Sequence, residues 1–187
     1  MRKRDDEKAK SIKDAVMKLI LQEGFHGTSI SKIAKEAGVS PATVYIYFDN
    51  KEIMLQDIYL EYSEEIFNCV LSKTQQEMNG EQLIEVIVMS YYNYILENER
   101  IFNFVDQFSS CPSLANHCSD IRGIGCMNNL ITEMKEKHII KNYSNDTLLA
   151  ILFSPVKQIA ANNSSTMEEK SMLIQEMIEL IQSALLI

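Results

Sequence analysis

The sequence predicts an all-α protein, with an N-terminal three-helix helix-turn-helix domain over residues 1–51 and a larger helical domain over residues 52–187. Three observations lead there. Apolar residues recur every three or four positions along most of the 187 residues, without the sustained alternation of a strand. Turn-forming residues separate these periodic stretches, at Asn79-Gly80, Cys111-Pro112-Ser113, Asn142 to Ser144 and Asn162 to Ser165. Near the N-terminus, Gly38-Val39-Ser40-Pro41 stops one helix and starts another within four residues, the signature of a helix-turn-helix.

A first helix is expected from about Asp5 to Glu23, with Ile12, Val16, Leu19 and Ile20 on one face and Gly24 just past its end. Thr28 is the N-cap candidate of a second helix whose apolar stripe is Ile30, Ile33, Ala34 and Ala37. Gly38 supplies the positive-φ residue that ends it, and Val39 plugs the turn. Ser40 caps the third helix and Pro41 suits its first position, because proline lacks only an N–H that has no intrahelical partner there. The shared core is expected to contain Ile12, Val16, Leu19, Phe25, Ile30, Ile33, Val39, Val44 and Phe48. Asp49, with Glu52 three residues on, resembles a capping box opening a long fourth helix through Leu55, Tyr59, Tyr62, Ile66 and Val70 to about Met78.

Five further helices are expected at about 81–98, 100–109, 119–137, 145–161 and 165–186. The run Ile84 to Met89 could pass for a strand, but Tyr91, Tyr94 and Ile95 continue its helical period and no hairpin turn flanks it. Pro155 should kink or restart its helix. Ser165 and Glu168 look like a capping box for the last helix, whose stripe of Met172, Ile174, Met177, Ile178, Ile181, Ala184 and Leu185 is wide enough to pack against more than one neighbour.

The formal net charge of −8 is unevenly placed. Residues 1–51 hold ten Lys/Arg against seven Asp/Glu, and the rest eight against nineteen, so only the N-terminal part attracts phosphate. The N-terminus runs straight into a charged amphipathic segment, and no 18-residue uncharged apolar run occurs, so a cytoplasmic protein without membrane contact is expected. Cys69, Cys111, Cys118 and Cys126 lack paired C-x-x-C spacing, and read as reduced, mostly buried thiols rather than metal ligands or disulfides. His26, His117 and His138 are scattered, and neither a Gly-rich phosphate loop nor a nucleophile elbow is present. No catalytic residue, metal site or cofactor is therefore expected.

The second helix of a helix-turn-helix points its N-terminal side chains at base edges in the major groove. That selects Pro41, Ala42, Thr43 and Tyr45 as readers of double-stranded DNA, with Thr43 able to hydrogen-bond a base or touch a thymine methyl. Tyr45 and Tyr47 can reach phosphate or base through their hydroxyls. Thr28, Ser40 and Lys51 stand at helix N-termini, where unpaired N–H groups favour an anion and Lys51 adds a full positive charge. Ordinary capping for Thr28 and Ser40, a partly buried Tyr45 and a solvated Lys51 are the competing readings, and Arg2-Lys3-Arg4 is either a DNA arm or a frayed terminus.

Gly24-Phe25-His26-Gly27-Thr28-Ser29-Ile30, then Ile33-Ala34-Lys35-Glu36-Ala37-Gly38-Val39-Ser40, then Tyr45-Ile46-Tyr47-Phe48-Asp49-Asn50-Lys51-Glu52 resembles the N-terminal domain of the tetracycline-repressor (TetR) family over about residues 8–56. Ile46 stands where many members carry His, and Pro41 where a small or basic residue often follows the Ser; both departures touch target choice. The resemblance implies a ligand-responsive homodimeric regulator, most often a repressor of a palindromic operator. It further implies a helical ligand-binding and dimerisation domain, with the last two helices forming the interface. Ile178 is then a central interface position. Aromatic and thioether residues crowd the middle helices, and Tyr62, Tyr94, Phe104, Gln107, Phe108 and Met127 become candidates for binding an apolar or aromatic small-molecule effector, though core packing accounts for any one of them. Asn103, His117 and Arg122 are further polar candidates. The rival reading is a thiol- or metal-sensing regulator using Cys111, Cys118 and Cys126.

Overall fold

The computed structural model describes residues 6–109 and 122–187. Among the described residues there are nine helices: α1 Asp6–Gly27, α2 Ile30–Glu36, α3 Pro41–Tyr47, α4 Lys51–Leu71, α5 Gly80–Glu97, α6 Glu99–Ser109, α7 Arg122–Glu136, α8 Asn145–Ala161 and α9 Met167–Leu185. The only β-type pairing among them is an isolated bridge between Ile140 and Leu186. The Arg2-Lys3-Arg4 cluster and the expected break at Cys111-Pro112-Ser113 lie outside the described residues.

The chain forms two compact units, one of residues 6–62 with 100–109 and the other of residues 63–99 with 122–187. In the first, α1 packs on α2 and α2 on α3. Six of the nine expected core residues, Ile12, Val16, Leu19, Ile33, Val44 and Phe48, are buried; Phe25, Ile30 and Val39 are half-buried. Met54, Leu55 and Ile58 on the first turns of α4 are also buried. In the second unit α5 packs against α8 and α9, which also pack on each other. Ile84, Ile87 and Val88, with Leu148, Val156, Ile174 and Ile178, have almost no exposed surface. Each such side chain contributes about 1.5–3 kcal/mol through burial.

Several helix ends fall one residue from where the sequence places them. Ser29, not Thr28, caps α2 by accepting from the Lys32 N–H at 3.3 Å, because the Thr28 hydroxyl turns inward and donates to the Gly24 carbonyl at 2.9 Å. Asn50, not Asp49, receives the Ile53 N–H at 2.8 Å at the head of α4. At α9 the capping box is Thr166 with Glu169 rather than Ser165 with Glu168. Helix α4 ends at Leu71, short of Met78, where the Ser72 and Thr74 hydroxyls donate to the carbonyls of Cys69 and Leu71 and close its last turn. Pro155 neither ends nor restarts α8, which runs unbroken from Asn145 to Ala161.

Two lysines serve the C-terminal ends of helices in the second unit. Lys170 is buried and donates to the Ala160 carbonyl at 2.7 Å, and Lys141 donates to the Ala184 carbonyl at 2.8 Å. Each puts a positive charge at the negative end of a helix dipole.

Candidate nucleic-acid interface

Local chemistry shapes the reading head. Gly38, at φ 68°, lets α2 stop, and the Val39 N–H reaches back to the Ala34 carbonyl at 2.9 Å. Ser40 then accepts from the Thr43 N–H at 3.1 Å, as its capping role requires, and its hydroxyl also lies 2.9 Å from that of Thr43. Val44, fully buried, anchors α3 from below. The opposite side of α3 is open: Pro41 and Ala42 are exposed, Tyr45 is 54% exposed and Ile46 48%. Tyr45 is thus a surface residue rather than a core one. Thr43 and Tyr47 are half-buried.

Ile46 was not among the expected readers. It stands four residues after Ala42 and next to Tyr45, an i, i+3, i+4 set on the face away from Val44, and that spacing is the signal that could have found it. The open face of α3 carries no charged side chain. Its chemistry is that of apolar contact, a hydroxyl and close approach.

Two expected contacts look different in place. Thr28 has 2% of its surface exposed and its hydroxyl is engaged inward, so its side chain is not presented to DNA. Lys51 is half-buried rather than solvated. Its ammonium donates to the carbonyls of Phe25 at 3.0 Å and Thr28 at 3.1 Å, and stands 3.9 Å from the centre of the Phe25 ring. Lys32 and Lys18 are likewise paired, with Glu23 and Glu36.

Nearby, partial desolvation pushes the carboxyl of the exposed Asp57 above its usual range, with Asp49 and Glu61 acting in the same direction and Lys13 against them. A carboxyl held more tightly protonated when folded gives stability that is complete below its unfolded pKa and is lost as pH rises through its folded pKa. Asp57→Asn is therefore expected to raise Tm at pH 7, with the gain shrinking as pH falls into the ordinary carboxylate range, as thermal melts across pH would show.

The expected effector residues divide between the two units. In the first, Tyr62, Phe104 and Phe108 are buried and form a run of rings, with centroids 6.3 Å apart for Tyr62 and Phe104 and 5.3 Å for Phe104 and Phe108. Gln107 and Asn103 are exposed beside them in sequence. In the second, Met127 is fully buried, and Tyr94 is buried with its hydroxyl donating to Glu65 at 3.0 Å. Arg122 is exposed. Also in the second unit, the buried Ser63 hydroxyl and Tyr92 hydroxyl have no hydrogen-bond partner among the described residues, and burial raises the Tyr92 pKa. Of the thiols, Cys111 and Cys118, with His117, lie outside the described residues; Cys126 is exposed rather than buried, and Cys69 is half-buried.

No helix among the described residues is long and apolar enough to cross a membrane. An open apolar groove of about 600 Å³ lies between α8 and α9, lined by Thr147, Ala150, Ile151, Ser154, Pro155, Met177, Leu180, Ile181 and Ala184. It contains none of the expected effector residues. Along α9, Met172 and Leu180 are more than 60% exposed, whereas Ile174, Ile178, Ile181 and Leu185 are buried within the chain. Ile178 is therefore a core residue and not an exposed interface position.

Comparison with known proteins agrees with this geometry. Residues 12–58 match the family described as bacterial regulatory proteins, tetR family. An uncharacterized HTH-type transcriptional regulator of Haemophilus influenzae is 24% identical over 168 residues, covering 87% of this chain and 86% of that protein. The fatty acid metabolism regulator protein of Bacillus subtilis is 27% identical over 82 residues, covering 44% of this chain and 42% of that protein. Among solved structures, a putative tetR family regulator from Shewanella sp. PV-4 superposes with a TM-score of 0.80 at 19% identity, covering 96% of this chain and 98% of that one. The transcriptional regulator FadR from Bacillus subtilis, in complex with stearoyl-CoA, does so at 0.75 and 20% identity, covering 94% and 98%. Residues 12–58 are thus a helix-turn-helix domain of the kind found in the tetR family of bacterial regulatory proteins, and nearly the whole chain shares its fold with solved tetR-family regulators.

Proposed function

We propose that the protein is a cytoplasmic, homodimeric repressor that binds a palindromic operator through α3 and leaves it when an effector with a long apolar chain is bound. The observation that carries the DNA reading is the uncharged open face of α3, where Pro41, Ala42, Tyr45 and Ile46 face outward over the Val44 anchor. Thr43 and Tyr47 stand at its margins and Ser40 fixes its first turn. Such a face discriminates bases through thymine methyls and one or two hydroxyls rather than through bidentate charged pairs.

The test is selection of duplexes from a random library on the purified protein, followed by affinity measurements on single-base variants. Thr43→Ala and Tyr45→Phe are expected to change preference at particular positions, by about 1–3 kcal/mol where a base contact is lost. A uniform loss on every sequence would instead assign these side chains to the backbone.

The effector class draws on two supports. The Tyr62, Phe104 and Phe108 rings form a buried apolar cluster. One relative is named for fatty acid metabolism, and one protein of the same fold holds stearoyl-CoA. Stearoyl-CoA is expected to stabilise the protein in thermal-shift assays and to weaken operator binding by a reciprocal factor. Phe108→Ala should blunt both effects while DNA binding without effector persists. Tyr94, Gln107 and Met127 are weaker candidates for effector contacts.

Dimerisation is proposed through the groove between α8 and α9, whose apolar walls include the exposed Leu180. Two reading heads must then match half-sites about 34 Å apart, or a multiple of it, and an effector that favours another separation releases the DNA. No specific observation favours sensing through Cys126.

A further inference from the structure

We propose that Lys51 is a positioning residue, which fastens the first turn of α4 to the α1–α2 connection and thereby sets the orientation of α3, rather than a phosphate ligand. The geometry begins at Gly24, whose φ of 72° breaks the helical path of α1 and turns the chain through Phe25 to Thr28. Thr28 closes that turn from inside, its hydroxyl on the Gly24 carbonyl at 2.9 Å. Lys51 closes it from the α4 side. Its ammonium takes the Phe25 and Thr28 carbonyls at 3.0 and 3.1 Å, and the face of the Phe25 ring lies 3.9 Å away. An ammonium has three N–H groups, and two of them are thus committed to backbone carbonyls while the ring attracts the same charge.

The residue after Thr28 is Ser29, the cap of α2, and α2 leads through the Gly38 turn into α3. On the other side of the joint, Met54, Leu55 and Ile58 hold the following turns of α4 in the core of the same unit. A shift of α4 along or across its axis is therefore passed to the backbone at Thr28 and Ser29, and from there to the recognition helix. The inference builds on the DNA-reading role assigned to α3, and extends it by naming the joint.

The experiment uses the full-length protein and the variants Lys51→Ala, Lys51→Arg and Phe25→Leu. Phe25→Leu keeps both carbonyls and alters no charge. Two readouts are taken: hydrogen exchange of amides 25–44, and affinity at several salt concentrations for the selected duplex and for a random one. Lys51→Ala and Phe25→Leu are each expected to speed exchange in 25–44 and leave α5 to α9 unchanged, with Lys51→Arg closer to wild type. Affinity for the selected duplex should fall by roughly fivefold or more, the lower end of couplings between sites. Binding to random DNA and the dependence of either affinity on salt should stay as in wild type. A salt slope lowered by about one unit in Lys51→Ala, with equal losses on both duplexes, would overturn the proposal in favour of a phosphate contact. Unchanged exchange in both Lys51→Ala and Phe25→Leu would overturn it as well. Should Lys51→Ala fail to fold, Phe25→Leu decides by the same readouts. If wild type selects no duplex, the DNA reading falls while the exchange data still judge the joint.

Discussion

Leu180→Glu is expected to turn a dimer into monomers that keep their helical content and lose operator affinity, whereas Ile178→Glu is expected to unfold the second unit. The two positions are two residues apart on α9 but face opposite ways. Leu180 is 61% exposed and forms a wall of the groove between α8 and α9, so a carboxylate there remains solvated in the monomer and would be buried only in the proposed dimer. Ile178 is 1% exposed, and a carboxylate at that site is cut off from water, at a cost of several kcal/mol against a total stability of about 5–15. Sedimentation velocity and circular dichroism separate the outcomes. A Leu180→Glu protein that sediments as a dimer would place the interface elsewhere.

Gly123→Ala is expected to destabilise the protein by about 1–3 kcal/mol, and Gly125→Ala to stabilise it by up to about 1 kcal/mol. Both glycines lie in the first turn of α7. A Cβ on Gly123 would come within 2.4 Å of the Phe67 Cβ, and because both atoms are fixed to helical backbones, neither can swing aside. The Gly123 N–H also donates to Glu64 at 2.8 Å, so separating α7 from α4 would break that bond. Among the described residues nothing lies within 4 Å of a carbon added at Gly125, leaving the gain in helix propensity. Urea unfolding monitored by helicity measures both. Equal stabilities would contradict the close approach of α7 to Phe67.

Interactions confined to a few neighbouring residues are legible in the sequence, and packed ones are not. The turn from Gly38 to Pro41 was legible because each residue acts on its immediate neighbours: a positive φ, a cap three residues ahead, a ring that needs no N–H. The helical period of the long segments was legible for a similar reason, since one side of every helix is buried whatever covers it. The outward face of α3 follows from the same period, and Ile46 could have been found by counting from Ala42.

Choices among equivalent neighbours were not legible. Thr28 and Ser29, Asp49 and Asn50, Ser165 and Thr166 are pairs of adjacent cap-competent residues, and the three-dimensional path of the chain decides which oxygen meets the N–H; at Thr28 the Gly24 carbonyl captures the hydroxyl first. Lys51 reads as a free charge in sequence because its partners are carbonyls 23 and 26 residues away, and backbone carbonyls leave no mark in a sequence. On α9 the apolar stripe was plain, but a stripe wide enough for two neighbours does not say which edge each neighbour takes. By itself the sequence determined an all-helical chain with a helix-turn-helix near its N-terminus, because periodicity and capping act over a few residues. Only tertiary packing decided that Ile178 faces the core and Leu180 the solvent, because burial depends on helices brought together from distant parts of the chain.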